Sequence, residues 1–125
     1  MSKGLKYTFL IHTIAVIIFA LGFLFVPDTV AKSFGYTAFD PPLARMYGGV
    51  LLAIGVSSWL SYRVSEPQLV KITAAMEICL TIVAALTTLY TILFESAPAM
   101  MWIGVAFFVI FAILFVVFYP RLPKK

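Results

Sequence analysis

No charged residue interrupts the chain between Tyr7 and Val26. At 1.5 Å per residue, a helix needs about 20 residues to cross a hydrocarbon core about 30 Å thick, and this run supplies them. Three further apolar runs follow, about 41–62, 68–94 and 98–119, broken only by Arg45, Lys71 and Glu77. Pro27 stops the first run and Pro120 the last. In lipid the backbone has no water to bond to, so a spanning segment must satisfy its own N–H and C=O groups as a helix. The sequence as a whole agrees: 63% of residues are hydrophobic and 11% charged, with a mean hydropathy of +1.08, whereas soluble domains are near half apolar and a quarter charged. The expected fold is all-α, an integral-membrane antiparallel four-helix bundle. It forms one transmembrane domain over 1–125, with spans at about 7–26, 41–62, 68–94 and 98–119. The first run lacks a small-residue cleavage site and is expected to remain as an anchor.

The breaks carry helix signals. Asp40 precedes Pro41 and Pro42, a capping residue before prolines that suit a first turn. Ser65 and Gln68 have capping-box spacing, and Ser96 before Pro98 is a third expected cap. The links Arg63–Pro67 and Glu95–Ala97 are short, which makes consecutive helices antiparallel neighbours. Pro27–Asp40 is the one long connection. Val30 and Phe34 lie four apart in it and Gly35 follows as a C-cap, so a short interfacial helix is expected, anchored by Phe34, Tyr36 and Phe39.

Lysines and arginines set the orientation. With both termini cytoplasmic, Lys3, Lys6, Arg63, Lys71, Arg121, Lys124 and Lys125 fall inside, and Lys32 and Arg45 outside. The expected location is the cytoplasmic membrane, multi-pass, with N- and C-termini in. The net charge of +4 therefore reflects topology and not a nucleic-acid surface. Cys79 is the only cysteine, which excludes an internal disulfide, a CxxC centre and a cysteine-based metal cluster. It is expected to be a small buried hydrophobe.

Polar groups within the spans are the informative ones, because a charge at mid-bilayer costs about 3 kcal/mol on insertion scales. Glu77 stands about 10 Å inside the third span, counted from Val70. Thr73, Glu77, Thr81, Thr88, Thr91 and Glu95 recur near one face of that helix, and such a stripe should face protein or water. His12 lies about 8 Å in from Tyr7, and Ser57 about 9 Å in from Arg63. So His12, Ser57 or Ser58, and Glu77 share a depth on three helices. They are candidates for ligand binding or proton relay, together with Thr73 and Thr81; the bland alternative is a hydrogen-bonded cluster that fixes helix register. Arg45 opposes the macrodipole at a helix start and needs an acidic partner, from Asp28, Asp40 or Glu95. An ion pair tying the loop to the bundle is expected there, the alternative being an anionic head group. A row of small residues, Gly49, Ala53, Ser57 and Ser61, continues from Arg45 at intervals of four, with Gly48 and Gly55 on an adjacent face. Such rows let helices approach closely. The fourth run has no polar side chain between Trp102 and Tyr119 and is expected to face lipid or a partner. No metal site, cofactor or nucleotide loop is expected.

The stretch from Pro27 to Leu60 resembles the first loop and second helix of DoxX-like small four-helix membrane proteins. Pro27, Gly35, Arg45, Gly48, Gly49 and Gly55 carry the likeness. It implies a four-helix bundle in the cytoplasmic membrane.

Two functions are compatible with these residues. The first is binding or transport of a small apolar or lipid-like molecule, with Glu77 as the intramembrane polar contact. The alternative is a structural or accessory subunit that docks a partner membrane protein, or a second copy, through its helix faces. Enzymatic use of Glu77 and His12 as acid and base ranks below both.

Overall fold

The structure, a computed structural model, describes residues 1–120. Five helices and no strand occur among them: α1 Lys3–Phe25, α2 Pro27–Ser33, α3 Pro41–Arg63, α4 Pro67–Phe94 and α5 Met101–Val117. The first, third and fourth are long and apolar enough to cross a membrane, while α5 is a shorter apolar helix of 17 residues. The expected inner cations Arg121, Lys124 and Lys125 lie outside the described residues.

Local chemistry explains most boundaries. Ser2 accepts from the Leu5 N–H at 3.2 Å, so α1 begins four residues before the expected start at Tyr7. Asp40 caps α3 through the Leu43 N–H at 3.3 Å, with Pro41 and Pro42 opening the helix. The other two expected caps are not formed. Helix α4 starts at Pro67 behind Glu66, without a side-chain cap. Proline's fixed φ and missing N–H suit a first helical position, so the Ser65–Gln68 box is not used. Ser96 has φ +55°, and the chain reaches α5 through successive turns from Pro98, Ala99 and Met100 to the third residue on. The fourth helix is accordingly shorter than the expected 98–119.

The loop helix α2 is present and closes as a Schellman motif. The Tyr36 N–H bonds the Ala31 carbonyl at 3.0 Å, the Gly35 N–H bonds that of Lys32 at 2.9 Å, and Gly35 has φ +86°. A Cβ on Gly35 would also stand 3.1 Å from Pro98, so the loop after α2 rests on the α4–α5 connection.

The helices pack as two tight pairs. On α3, the buried face is Gly48, Gly55, Ser58 and Ser61. A Cβ at Gly48 would sit 3.0 Å from the Ala20 carbonyl and the Leu24 amide, and one at Gly55 2.7 Å from Ile17. Rising numbers on α3 thus meet falling numbers on α1, and these neighbours run antiparallel. The expected row through Gly49 and Ala53 points outward instead: both are exposed, and a Cβ on Gly49 would meet nothing within 4 Å. Cys79 is exposed too, not buried.

Helices α4 and α5 form the second pair, and the two pairs touch only sparingly. Their common core lies toward the N-terminal end of α1, where Leu5 and Phe9 meet Val70, Ala74, Phe111 and Phe115. Away from it, the surface is covered by large apolar side chains such as Ile14, Ile18, Ile72, Leu86 and Ile110, each more than half exposed. Contiguous apolar surface on this scale belongs against lipid or another protein and not in water.

Candidate functional site

Three polar side chains meet where the common core ends. His12 Nδ1 and Ser58 Oγ are 3.0 Å apart, and the Ser58 hydroxyl donates to Glu77 Oε1 at 2.6 Å. Glu77 Oε2 lies 3.8 Å from His12 Nδ1. All three residues are buried, Ser58 fully and His12 and Glu77 to within 2% and 3% exposure. Their helices place them by register: His12 faces inward with Leu5, Phe9 and Val16 on α1, Ser58 one turn after Gly55 on α3, and Glu77 between Ala74 and Thr81 on α4.

The depth arithmetic left Ser57 and Ser58 open, and Ser58 is the partner. Ser57 is half-buried, one residue and about 100° around the helix from the contact. The remaining polar stripe of α4 divides. Thr81 is buried but donates to the carbonyls of Glu77 and Ile78 at 2.7 and 3.1 Å, and Thr88 donates to Ala84 at 2.7 Å. Thr73 bonds the Leu69 carbonyl on its own helix and joins no cluster. These hydroxyls are satisfied within the turn before them, so none is left to donate across the interior.

The Arg45 ion pair is not formed. Arg45 is exposed, and no carboxylate lies within 4.0 Å of it among the described residues. Asp40 is engaged in capping α3, and Glu95 is exposed at the end of α4. An arginine in the first two turns of a helix reaches past its end on a long stem, and there it can remain hydrated.

The sequence reading assigned no part to α5, yet α5 builds the wall around His12. The rings of Phe111, Phe115 and Phe107 stand 4.7, 5.4 and 6.4 Å from the imidazole, centroid to centroid. Their spacing of four residues was a visible signal. It marks one helical face, although in a helix apolar all round it cannot say which face turns inward.

Beyond this layer the pairs part and enclose a cavity of about 770 Å³. His12 and Thr81 line it at depth, Phe34, Tyr36 and Phe39 of the loop close over it, and Glu77 is not in its wall. Leu43, Met46 and Val50 on α3, Leu80 on α4 and Ile103 on α5 line the cavity and are also exposed, so it opens sideways between α3 and the α4–α5 pair. The loop aromatics, expected as interfacial anchors, are half-buried as its cover.

The arrangement can hold and pass a proton. The hydroxyl proton of Ser58 is given to Glu77, so Ser58 Oγ accepts from Nδ1–H, and Nε2 is left without a partner among the described residues. A proton received at Nε2 and released from Nδ1 through Ser58 would come to rest on Glu77. Among the described residues, the fully enclosed side-chain atoms without hydrogen-bond partners are Glu77 Oε2 and Thr13 Oγ1, whereas His12 Nε2 is not in that set. No group of three metal-ligating side chains occurs among the described residues. No protein-family model, no curated protein and no solved structure matches this chain.

Proposed function

We propose that the protein binds a small apolar or lipid-like molecule in the cavity between its helix pairs and exchanges it sideways with the bilayer. The observation that carries this reading is the cavity itself. It is of ligand size, since small-molecule sites span about 300–1,000 Å³, and it is walled almost wholly by apolar side chains with two buried polar groups, His12 and Thr81, at depth. Glu77 acts through His12 and Ser58, one residue removed from the molecule bound.

The same proposal includes a four-helix antiparallel membrane bundle in which α5 is the fourth span, as the DoxX-like resemblance implies. Both termini are cytoplasmic and the α2 loop faces out. Lys3, Lys6, Arg63 and Lys71 gather at one end and support that orientation. Reporter fusions at Ser2 and within Ser33–Thr37 should report opposite sides of the membrane.

The test of binding is photolabelling in membranes with an uncharged hydrocarbon bearing a diazirine. Labelled residues should include Phe34, Tyr47 and Phe107, and Gly104→Phe, which fills the cavity beside Thr88, should suppress them. Labelling confined to outward residues such as Ile14, Ile18 and Leu86 would sink the reading.

One observation favours a second reading. The Gly49–Ala53 face of α3 is exposed and has room for a close neighbour, which suits docking of a partner helix or a second copy. Disulfide crosslinking of a Cys79→Ser, Ala53→Cys variant would reveal it.

A further inference from the structure

We propose that the occupant of the cavity is a cationic amphiphile, an apolar body carrying a protonated amine, whose head lies against His12 Nε2 with the Glu77 carboxylate behind it. This rests on the cavity being a ligand site and names the ligand's class.

Three independent features point to a positive head. The first is the charge of the wall. Among the described residues, Asp40 is the only charged one in the wall and no lysine or arginine lines it; Lys32 and Arg45, at the same end of the molecule, stay outside it. An anionic head entering here would find no counter-charge.

The second is the carboxylate at depth. Glu77 accepts the Ser58 hydroxyl at Oε1, 2.6 Å away, so its carboxyl is set to carry the negative charge once a cation stands near. Oε2 has no partner, and Glu77 has no lysine or arginine within 4.0 Å among the described residues. A buried charge needs a compensating one. The groups facing it are Ser58 from α3 and His12 from α1, with apolar rings from α5 beyond them. The layer therefore accommodates one positive charge, either a proton on His12 or the head of a ligand. An ammonium N–H donated to Nε2 supplies it in place of the proton.

The third is the lining. Phe107 lines the cavity beside His12, 6.4 Å from the imidazole centroid to centroid, and aromatic faces attract ammonium groups, most strongly where water is excluded. Thr81 and Thr88 reinforce the preference. Having given their protons to their own helix, they offer an occupant only lone pairs.

The experiment uses the whole chain in phosphatidylcholine nanodiscs, whose zwitterionic surface does not presort ligands by charge. Dodecylamine, dodecanol and dodecanoate each compete against the diazirine hydrocarbon for the cavity at pH 7, where the amine is protonated. The amine should displace the label at a concentration at least about ten-fold below the alcohol, with the carboxylate weakest. In Glu77→Gln the advantage of amine over alcohol should disappear while displacement by the alcohol persists. Equal or better competition by the carboxylate or the alcohol would overturn the proposal while leaving the cavity reading intact. An amine preference that survives in a folded Glu77→Gln protein would overturn the placement of the head. If the hydrocarbon never labels the cavity, both readings fall. Should Glu77→Gln not fold, the order of the three heads on the unaltered chain still decides the ligand class.

Discussion

The two halves of the molecule are built from the same kinds of residue and end in opposite states. Toward the N-terminal end of α1, Leu5, Phe9, Val70, Ala74, Phe111 and Phe115 close on one another. Toward the α2 loop, an equally apolar set including Phe19, Phe34, Leu51 and Phe107 leaves a cavity of about 770 Å³. Hydrophobicity does not separate them, since lipid is as apolar as either. Size and spacing do. In the closed half, large rings from α5 pack in one core with small Ala74, and the His12 and Glu77 side chains reach toward each other from α1 and α4. In the open half, the glycines of α3 bring it against α1 alone, and nothing of matching size pulls the second pair across.

The sharpest way to break the comparison is to disturb the contact that both halves share. Gly48→Leu should cost about 3 kcal/mol, the upper end of overpacking, because the added carbon meets backbone at 3.0 Å. Gly49→Leu, where nothing lies within 4 Å, should shift unfolding in mixed detergent micelles by no more than about 0.5 kcal/mol. Next in size is the contrast between rings. Phe115→Ala leaves a void that lipid does not reach, and at about 24 cal/mol per Å³ that amounts to about 2 kcal/mol. Phe39→Ala, which widens a space already open, should leave stability near wild type and change hydrocarbon labelling instead.

At the boundary between the halves, Ser58→Ala strands both Nδ1 of His12 and Oε1 of Glu77. The expected loss is about 1.5 kcal/mol, and Ser58→Thr should restore most of it. The smallest effect belongs to the loop. Gly35→Ala should cost about 1 kcal/mol for a positive φ, plus a slight shift of Pro98. It should also raise hydrogen exchange across Phe34–Phe39 ahead of any change in α1.

Much of this was legible in the sequence. Run lengths located α1, α3 and α4, and depth arithmetic brought His12 and Glu77 to the same level, because helical rise is fixed and turns are short. The side each helix turns inward was not legible. Gly48 and Gly55 were visible on one face and Gly49 and Ala53 on the next, but both faces are apolar, so periodicity could not rank them. Phe107, Phe111 and Phe115 were hidden for the same reason. The Arg45 pairing rested on charge alone, whereas Asp40 is taken up by the α3 cap and Glu95 lies exposed at the end of α4. The Ser65 cap gave way to Pro67, which suits a first helical turn, and Ser96 takes a left-handed conformation ahead of the turns that lead into α5.

The shortness of α5 bears on where such a protein settles. At 17 residues it spans about 25 Å, while its neighbour α4, with 28, extends about 42 Å. With α5 as the fourth span, as proposed, a bilayer of ordinary thickness cannot match both. It must thin beside α5 or tilt α4 steeply, and each ångström of mismatch carries a small cost. The molecule should therefore collect in thin regions of membrane, and thickening the bilayer should squeeze it from the α5 side first.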